Sequence, residues 1–408
     1  MSKKGVKSVV AEPPAVFRNR DLGARVERQR HVVLVLSTLC GIHGGIQRFN
    51  QLLCRAFDEL APELGYTGTV LVLGETVTDY EQLGAPWQHL KFVAGGGKQR
   101  ISAAAVAICA RRRPELLLIG HVGMAPIGLA CIPFVRGGYC FVAHGFEVWS
   151  IPQWSRRLAA RHAAGALAVS RYTGDKLAEE TGLDSRRIRL LPNALEPRLN
   201  AVTEDEVQER VPPELLSVAR LSAKEGEKGI DHVIRVLPRI LELHPGLVYR
   251  VVGKGTDKPR LVELARTLGV AHHVIFEQNL SDDDLVDRYR SCAAFVMPSG
   301  QEGFGIVFLE AMRFARPCIG GNVGGTPEVI ENGRTGLLVP FGDLGALERA
   351  LKRLLSDPDL RLEMGRRGCQ RVRDHFVYDV FKAHVKEYVT DWLKRDRHSA
   401  PFPSTGTR

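Results

Sequence analysis

The sequence lacks an apolar run long enough to cross a membrane. The longest such run, Met124 to Val135, is interrupted by two prolines, whereas a spanning helix needs roughly 20 apolar residues. The first thirty residues are basic and polar and contain no apolar core of a signal peptide. We therefore expect a cytoplasmic protein, associated at most peripherally with the inner face of the cell membrane.

Clustered cysteines are also missing. The 8 cysteines are scattered along the chain, none belongs to a Cys-x-x-Cys pair, and none shares a metal-site spacing with a histidine. A secreted disulfide scaffold would be shorter and denser in cysteine. The pattern favours free, buried thiols in a reducing compartment.

Acidic residues are scarce in the first half. Residues 1–200 hold 26 Lys and Arg against 16 Asp and Glu, whereas residues 201–408 hold 30 of each, so the net charge of +10 belongs to the first half. Such asymmetry favours an anionic partner, and solubility with a loose basic arm is the alternative. Nucleic acid is not expected, because no nucleic-acid motif occurs and the aromatic residues, at 7%, are not interleaved with the basic clusters.

One segment of the first half combines tryptophans with arginines. It contains Trp149 and Trp154 beside Arg156, Arg157 and Arg161. Interfacial aromatic residues next to cations are typical of segments that dock on anionic lipid headgroups. We therefore expect an anionic membrane surface as a partner, with further cations at 111–113.

Short apolar runs alternate with amphipathic stretches along the chain. Strands are predicted at 31–37, 69–73, 116–119, 139–143, 165–170 and 188–191, and again at 215–219, 248–252, 274–276, 294–298, 318–320 and 336–339. Continuous apolar runs of this length suit parallel strands buried on both faces. The pattern predicts an α/β fold with two Rossmann-like, doubly wound domains facing a central cleft.

Breaks in this rhythm predict the boundaries of the domains. The polar, acid-rich stretch at 196–213 ends with two prolines and is typical of a linker. The expected units are a flexible basic arm at 1–30, an N-terminal domain at 31–195, the linker, a C-terminal domain at 214–375, a helix at 376–397 that packs back on the N-terminal domain, and a disordered tail at 398–408.

The most specific motif joins a predicted strand to a helix through a glycine-flanked turn. It reads Pro298-Ser-Gly-Gln-Glu302-Gly-Phe-Gly305 and continues as a helix through Glu310. Unpaired N–H groups at a helix N-terminus favour phosphate. Glu302 lies at the mouth of the turn and Glu310 within the helix, and their eight-residue separation spans at most about 12 Å at the rise of a helix, which roughly matches the reach from the sugar to the ribose of a nucleotide-sugar. Helix capping and a solvated face are the alternatives.

Two cations follow the first predicted strand of the second domain. Arg220 lies at the end of that strand, and Lys228 precedes Gly229, where a helix begins. Fixed cations beside a helix N-terminus suit a leaving diphosphate, because they stabilise the charge that grows as the glycosidic bond breaks. Lys224 is a rival of Lys228, and a basic surface loop is the alternative for either lysine.

Glycines and a histidine follow strands of the first domain. Gly44 and Gly45 come after the first strand without the Gly-x-Gly-x-x-Gly spacing of a dinucleotide site, and they allow the backbone to approach a ligand closely. His144 ends another strand and is expected to point toward the cleft. A general base is the obvious role for it, and a hydrogen-bonded strand-end histidine is the alternative.

Together these motifs resemble glycosyltransferase family 4, the retaining, nucleotide-sugar-dependent enzymes of the GT-B fold. The Glu-x7-Glu segment is the signature of that family, and the resemblance covers nearly all of residues 31–395. It implies that the N-terminal domain binds the acceptor and that the C-terminal domain binds the donor. It also implies that the leaving phosphate, and not a histidine, accepts the proton of the acceptor.

The resemblance assigns roles to individual residues around the cleft. Arg220 and Lys228 would hold the donor diphosphate, Glu302 and His144 would contact the donor sugar, and Glu310 would contact the ribose. The other residues it implies are backbone and helix positions: Gly44, Gly45, Gly253, Gly303, Phe304 and Gly305 on the donor side, and Gln47 and Arg48 on the acceptor side.

We therefore predict a retaining hexosyltransferase that moves a sugar from a UDP- or GDP-type donor to a glycan or lipid-linked acceptor, in bacterial surface polysaccharide or glycolipid biosynthesis. A nucleotide-sugar epimerase of the same fold and a non-catalytic module that binds anionic surfaces are the alternatives. No cofactor and no metal is expected. The acidic triplet Asp282–Asp284 and Asp357-Pro-Asp359 match the metal-binding Asp-x-Asp of other transferases, but both lie where helices begin.

Overall fold

The computed structural model describes residues 29–40, 44–75, 79, 87–94, 96–196, 212–222 and 227–394. Over these ranges the chain forms two parallel β-sheets with helices packed on their faces. The predicted arm up to residue 28, the linker residues 197–211 and the predicted tail lie outside the described residues. The fold is the predicted pair of Rossmann-like domains.

The first domain contains a parallel sheet whose described strands have the order β3-β2-β1-β4-β5-β6-β7. The strands are β1 (Arg30–Leu36), β2 (Tyr66–Val72), β3 (Leu90–Ala94), β4 (Leu116–Ile119), β5 (Tyr139–Ala143), β6 (Gly165–Ala168) and β7 (Ile188–Leu190). The helices are α1 (Gly45–Leu64), α2 (Lys98–Arg112), α3 (Ala125–Cys131), α4 (Phe146–Trp149), α5 (Trp154–His162) and α6 (Arg171–Thr181).

The second domain repeats this architecture with the strand order β10-β9-β8-β11-β12-β13. The strands are β8 (Glu214–Val218), β9 (Val248–Val252), β10 (Val274–Glu277), β11 (Ala294–Met297), β12 (Cys318–Gly321) and β13 (Gly336–Val339). The helices are α7 (Ile230–Leu241), α8 (Lys258–Thr267), α9 (Asp282–Ser291), α10 (Ile306–Arg313), α11 (Thr326–Val329), α12 (Leu344–Ser356) and α13 (Pro358–His375).

Strand order in both sheets places the site at the same topological position. The order reverses between β1 and β4 in the first sheet and between β8 and β11 in the second. Loops at the carboxyl ends of strands on either side of such a reversal leave a crevice in which ligands bind. Gly44 lies on the loop after β1, Arg220 and Lys228 on the loop after β8, and Glu302 on the loop after β11.

The structure extends β2 toward the N-terminus, and the reason is a buried histidine. His31 on β1 is hydrogen-bonded through its two ring nitrogens to the hydroxyls of Thr67 and Thr69, each at 3.0 Å. Burial lowers the pKa of His31 to about 4, with a smaller effect from Arg112. A neutral histidine can therefore pair two threonines inside the sheet, and residues 66–68, which precede the predicted strand, belong to β2.

The final helix, α14 (Tyr378–Leu393), belongs to the second half of the sequence but packs on the first domain. The ring of Phe381 contacts Phe49 of α1 edge-to-face, with centroids 5.5 Å apart. Arg189 of β7 is paired with Asp391 at 2.6 Å. The last helix therefore completes the hydrophobic core of the N-terminal domain.

We expect Phe381→Ala to lower the free energy of unfolding by about 3–5 kcal/mol, the usual cost of truncating a buried Phe. Phe381 is 2% exposed, so its removal leaves a cavity against α1. Denaturant unfolding followed by tryptophan fluorescence measures the change. Lys386→Ala is the control on the same helix, because this exposed lysine forms only a surface ion pair with Glu63. Equal stability of the two variants would contradict the packing described.

Candidate active site

At the cleft the two domains contact each other through the backbone of two glycines, with no side chain between them. A Cβ atom on Gly145, which has a φ of +140°, would lie 2.6 Å from the Cα of Gly303, so only glycine fits. A Cβ on Gly303 would in turn overlap the carbonyl oxygen of His144. The Ser170 hydroxyl donates to the Gly303 carbonyl at 2.8 Å. The turn predicted to bind the donor sugar therefore faces the N-terminal domain directly.

Lys228 and Glu302 form an ion pair on the C-terminal side of the cleft. The Lys228 ammonium lies 2.9 Å from the Glu302 carboxylate, and the two side chains are 24% and 15% exposed. Backbone contacts bring the loops together, since the Gly300 N–H donates to the Glu227 carbonyl at 2.7 Å. Two residues that lie 74 positions apart in the sequence thus form one charged pair. Lys224 lies outside the described residues.

Arg220 and Lys228 line one pocket. Asp257 and Arg260 also line it, and the Arg260 guanidinium donates two hydrogen bonds of 2.7 Å to the Asp257 carboxylate. Asp231 is a second carboxylate of the lining and lies 3.8 Å from Arg260, so Arg260 faces both acidic residues while Arg220 and Lys228 add two further cations to the lining. This arrangement suits an anion such as a diphosphate.

Glu310 is a buried carboxylate, 3% exposed, that is held from both domains. The Tyr289 hydroxyl donates to one carboxylate oxygen at 2.7 Å. Arg48 of α1 forms an ion pair with the other oxygen, and its Nε also lies 3.9 Å from Glu196. Arg48, predicted to lie on the acceptor side, therefore bridges the N-terminal domain to the carboxylate assigned to the ribose.

His144 is held as a neutral ring. Its Nε2 lies 2.9 Å from the Gly120 carbonyl, and because a carbonyl only accepts, this nitrogen carries the proton. Burial lowers the pKa of His144, and the nearby Glu147 carboxylate opposes that effect. The Glu147 carboxylate accepts the His144 backbone N–H at 2.6 Å. The remaining ring nitrogen, Nδ1, is an acceptor suited to a sugar hydroxyl.

The glycines at the helix N-termini lie across the cleft from one another. A Cβ on Gly45 would lie 3.8 Å from Ile306, the first residue of α10, whereas Gly44 has open space around it. Gly305 precedes α10 with a φ of +90°. The N-termini of α1 and α10 therefore lie close to one another.

Three other predicted residues do not present a side chain to the cleft. Two of them have buried side chains, and the third is a glycine whose backbone packs closely against another loop. The Phe304 ring is buried against Phe376, with centroids 5.7 Å apart. Gln47 is buried and donates to the Cys40 carbonyl at 3.2 Å. A Cβ on Gly253 would overlap the Ala219 carbonyl. Gln47 and Gly253 thus support loops, and Phe304 can contact a donor only through its backbone.

Glu328 makes a contact between domains that the sequence did not predict. Its carboxylate accepts the backbone N–H groups of Arg171 and Tyr172, at 2.8 and 3.0 Å, at the start of α6. A carboxylate at a helix N-terminus is stabilised by the unpaired N–H groups and the helix dipole. A cap on the opposite domain leaves no local signal in the sequence.

The two acidic segments that match Asp-x-Asp cap helices. Ser281 and Asp284 form a reciprocal capping box at the start of α9, and Asp357 accepts the Leu360 N–H at the start of α13. Within the part of the chain that the structure describes, no cluster of three or more His, Cys, Asp or Glu side chains is arranged to hold a metal ion. Over the same part, no helix has the length and apolar character needed to span a membrane.

The sequence and the fold match known transferases. Residues 203–371 match the family of glycosyl transferases group 1. The chain is 30% identical over 264 residues to a GDP-mannose-dependent α-(1-6)-phosphatidylinositol monomannoside mannosyltransferase of Mycolicibacterium smegmatis, over 60% of this chain and 68% of that protein. It is 28% identical over 300 residues to a glycogen synthase of Mycobacterium tuberculosis, over 71% and 72% of the two chains.

A solved structure shares the fold. HepE of Anabaena, crystallised in complex with UDP, superposes with a TM-score of 0.70 at 16% identity, over 89% of this chain and 100% of that chain. The chain belongs to the group 1 glycosyltransferases and is an enzyme of the GT-B fold, of the family 4 type. The relatives are named for sugar transfer, and a nucleotide-sugar is the donor class they support.

We expect Arg48→Met to lower the free energy of unfolding by about 3 kcal/mol, because it leaves the buried Glu310 carboxylate without a cation. Adding Glu310→Gln should recover part of that loss, since a neutral amide needs no counter-charge. Denaturant unfolding of the two single variants and the double variant measures the coupling.

Arg266→Met is the matched control for this cycle. Arg266 forms an exposed ion pair with Glu263 on one helix, and such pairs contribute about 1 kcal/mol or less. Strictly additive effects of Arg48→Met and Glu310→Gln would show that the two residues do not act on one another.

Proposed function

We propose that this enzyme transfers a hexose from a UDP- or GDP-sugar to a glycan or lipid-linked acceptor with retention of the anomeric configuration, in the synthesis of bacterial surface polysaccharide or glycolipid. The observation that carries the proposal is the Lys228–Glu302 pair at 2.9 Å. It places a cation for phosphate and a carboxylate for sugar hydroxyls at one point, opposite His144. The GDP-mannose-dependent relative and the UDP complex of HepE support these two donor classes.

The phosphate end of the donor is assigned to the C-terminal domain. Arg220 and Lys228 face one pocket, and the N-terminus of α10 follows Gly305 directly. As the bond between the anomeric carbon and the diphosphate oxygen breaks, negative charge grows on the diphosphate. Fixed cations and N–H groups stabilise that charge without reorganising, so they lower the barrier.

The sugar end is assigned to His144 and Glu302. Because the pKa of His144 is lowered by burial, the ring is neutral near pH 7 and acts as a hydrogen-bond acceptor through Nδ1, whereas Glu302 accepts from other sugar hydroxyls. The acceptor oxygen then attacks the anomeric carbon from the face that the diphosphate leaves. The acceptor proton passes to a phosphate oxygen. Because attack and departure use the same face of the sugar, the configuration is retained without a covalent enzyme intermediate.

A thermal-shift panel of UDP, GDP, ADP and dTDP with their sugars tests the donor class. We expect a UDP or GDP compound to raise the melting temperature, and incubation of that donor with glycan and lipid-linked acceptors to give an α-linked product from an α-linked donor. Product formed from donor alone would indicate an epimerase. Inverted product would overturn the retaining mechanism.

We expect Lys228→Ala and Glu302→Ala each to lower kcat by about 100-fold or more, the usual effect of removing a charged group that stabilises the transition state. Steady-state kinetics with the identified donor measure the change. Lys176→Ala is the control, because Lys176 is an exposed residue of α6 paired with Glu179. Near-normal turnover in both site variants would remove their assignment.

A surface of the N-terminal domain supports docking on anionic lipid. Trp154 is 76% exposed and Leu158 is 40% exposed on α5, and Phe146 is 69% exposed on α4. Arg157 and Arg161 are exposed on α5, and this helix contains no acidic residue. Trp149 is instead packed against Tyr172, with ring centroids 5.3 Å apart. Apolar side chains and cations thus share one exposed surface near the acceptor side.

We expect sedimentation with phosphatidylcholine vesicles that contain phosphatidylglycerol, but not with pure phosphatidylcholine, and release by salt. Trp154→Ala should weaken this binding severalfold. Leu243→Ala is the control, because Leu243 is 57% exposed on the other domain. Absence of sedimentation at low salt would remove the membrane assignment.

A further inference from the structure

Two histidines lie side by side at the cleft, and only His144 has a role in the proposed transfer. His121 follows β4 and His144 follows β5, at the carboxyl ends of neighbouring parallel strands. Their rings are nearly parallel, with 27° between the planes and centroids 6.2 Å apart. Phe49 packs edge-to-face against His144, with centroids 5.0 Å apart. Both histidine rings are half-buried, and these contacts fix their relative orientation.

A backbone hydrogen bond determines which nitrogen of the His121 ring carries the proton. His121 Nδ1 accepts the Gly123 N–H at 2.9 Å. Burial lowers the pKa of His121, whereas the Glu147 carboxylate raises it and the Arg156 guanidinium lowers it further. The ring is therefore neutral near pH 7. Because Nδ1 is an acceptor in this neutral ring, Nε2 carries the proton.

The His121 Nε2–H has no hydrogen-bond acceptor among the residues that the structure describes. His144 has the opposite arrangement, because its Nε2–H donates to the Gly120 carbonyl and its Nδ1 remains an acceptor. The pair thus offers one donor and one acceptor from adjacent, nearly parallel rings. A half-buried N–H needs an acceptor from water or from a ligand. Sugar hydroxyls both donate and accept, so two hydroxyls of one sugar complement this pair.

We propose that His121 binds the transferred hexose through its Nε2–H, as a second sugar-contacting residue beside His144. One hydroxyl of the hexose donates to His144 Nδ1, and another accepts from His121 Nε2. This inference rests on the proposed transfer reaction. The two rings are close enough, at 6.2 Å between centroids, for one pyranose to reach both. His121 then contributes to the choice of sugar, because a hexose without a hydroxyl at that position loses one contact.

Amide side chains separate this role from a purely structural one. His121 also caps the short turn Val122–Met124, since its Nδ1 accepts the Gly123 N–H. The amide oxygen of Asn can occupy the position of Nδ1, so His121→Asn keeps the cap and loses the Nε2 donor. The amide nitrogen of Gln can occupy the position of Nε2, so His121→Gln keeps the donor and loses the cap. The two variants remove the two functions one at a time.

Calorimetry with UDP-glucose and GDP-mannose, each compared with UDP or GDP alone, measures the contact with the sugar. We expect at least one of the two nucleotide-sugars to bind the wild-type chain. His121→Asn should bind that nucleotide-sugar about fivefold more weakly, the effect of one hydrogen bond between neutral groups. It should bind the diphosphate alone within about twofold of wild type. His121→Gln should bind both compounds within about twofold of wild type.

His273→Asn is the matched control. His273 is also half-buried, and its Nδ1 lies 2.9 Å from the Leu247 carbonyl. It precedes β10, at the amino end of the strand, whereas the cleft lies at the carboxyl ends. This variant should leave every affinity within about twofold of wild type. Circular dichroism and melting temperature establish that all three variants are folded.

Four results would overturn the role of His121. In the first, a diphosphate binds the wild-type chain but neither nucleotide-sugar does. In the second, His121→Asn binds the nucleotide-sugar as tightly as wild type. In the third, this variant loses as much affinity for the diphosphate alone. In the fourth, His121→Gln loses more affinity than His121→Asn, as a purely structural cap requires.

Failure of the proposed transfer reaction gives a different result. In that case neither UDP, GDP nor either nucleotide-sugar binds the wild-type chain, and the sugar contact of His121 is then wrong as well. Binding of a nucleotide-sugar by the wild-type chain with no specific loss in His121→Asn contradicts the role of His121 alone.

Discussion

The contact between Gly303 and the His144–Gly145 backbone is the constraint on which the rest of the site depends. It brings a strand-to-helix turn of one domain against a strand end of the other with no side chain between them. Because of this approach, Ser170 reaches the Gly303 carbonyl, and Arg48 reaches Glu310. A side chain at either glycine would separate the domains and divide the site into two halves, neither of which holds both ends of a nucleotide-sugar.

The two halves of the chain differ in net charge and in where their cations lie. The second half of the chain has no net charge, yet its cations Arg220 and Lys228 line the pocket that we assign to the diphosphate. The positive excess of the first half lies elsewhere, including the exposed arginines of α5. The net charge of a domain is therefore a poor guide to the proposed donor site, whereas the local pairing of Lys228 with Glu302 is a good one.

The sequence predicts the two domains because buried parallel strands are continuous apolar runs, as in β1 and β4. It misses β3, a short strand at the sheet edge, and the start of β2, where hydrogen bonds to His31 make threonines fit a strand. Within the site, the spacing of Glu302 and Glu310 and the strand-end positions of His144 and Arg220 are local patterns that can be read. The contacts of these residues cannot be predicted in this way, because each depends on how distant elements pack. They include the Tyr289–Glu310 hydrogen bond, the Arg48–Glu310 ion pair and the cap that Glu328 forms on α6. The same limit explains Phe304, whose ring turns into the core although its backbone belongs to the turn.

The position of α14 has a consequence for folding during synthesis on the ribosome. Phe49 and its neighbours on α1 are synthesised early, but the helix that covers them comes from residues 378–393. At about 5–20 residues per second, that face of α1 stays uncovered for tens of seconds while the second domain is translated. The nascent chain is therefore a natural client for a chaperone that shields apolar helices, and the N-terminal domain matures last although it is made first.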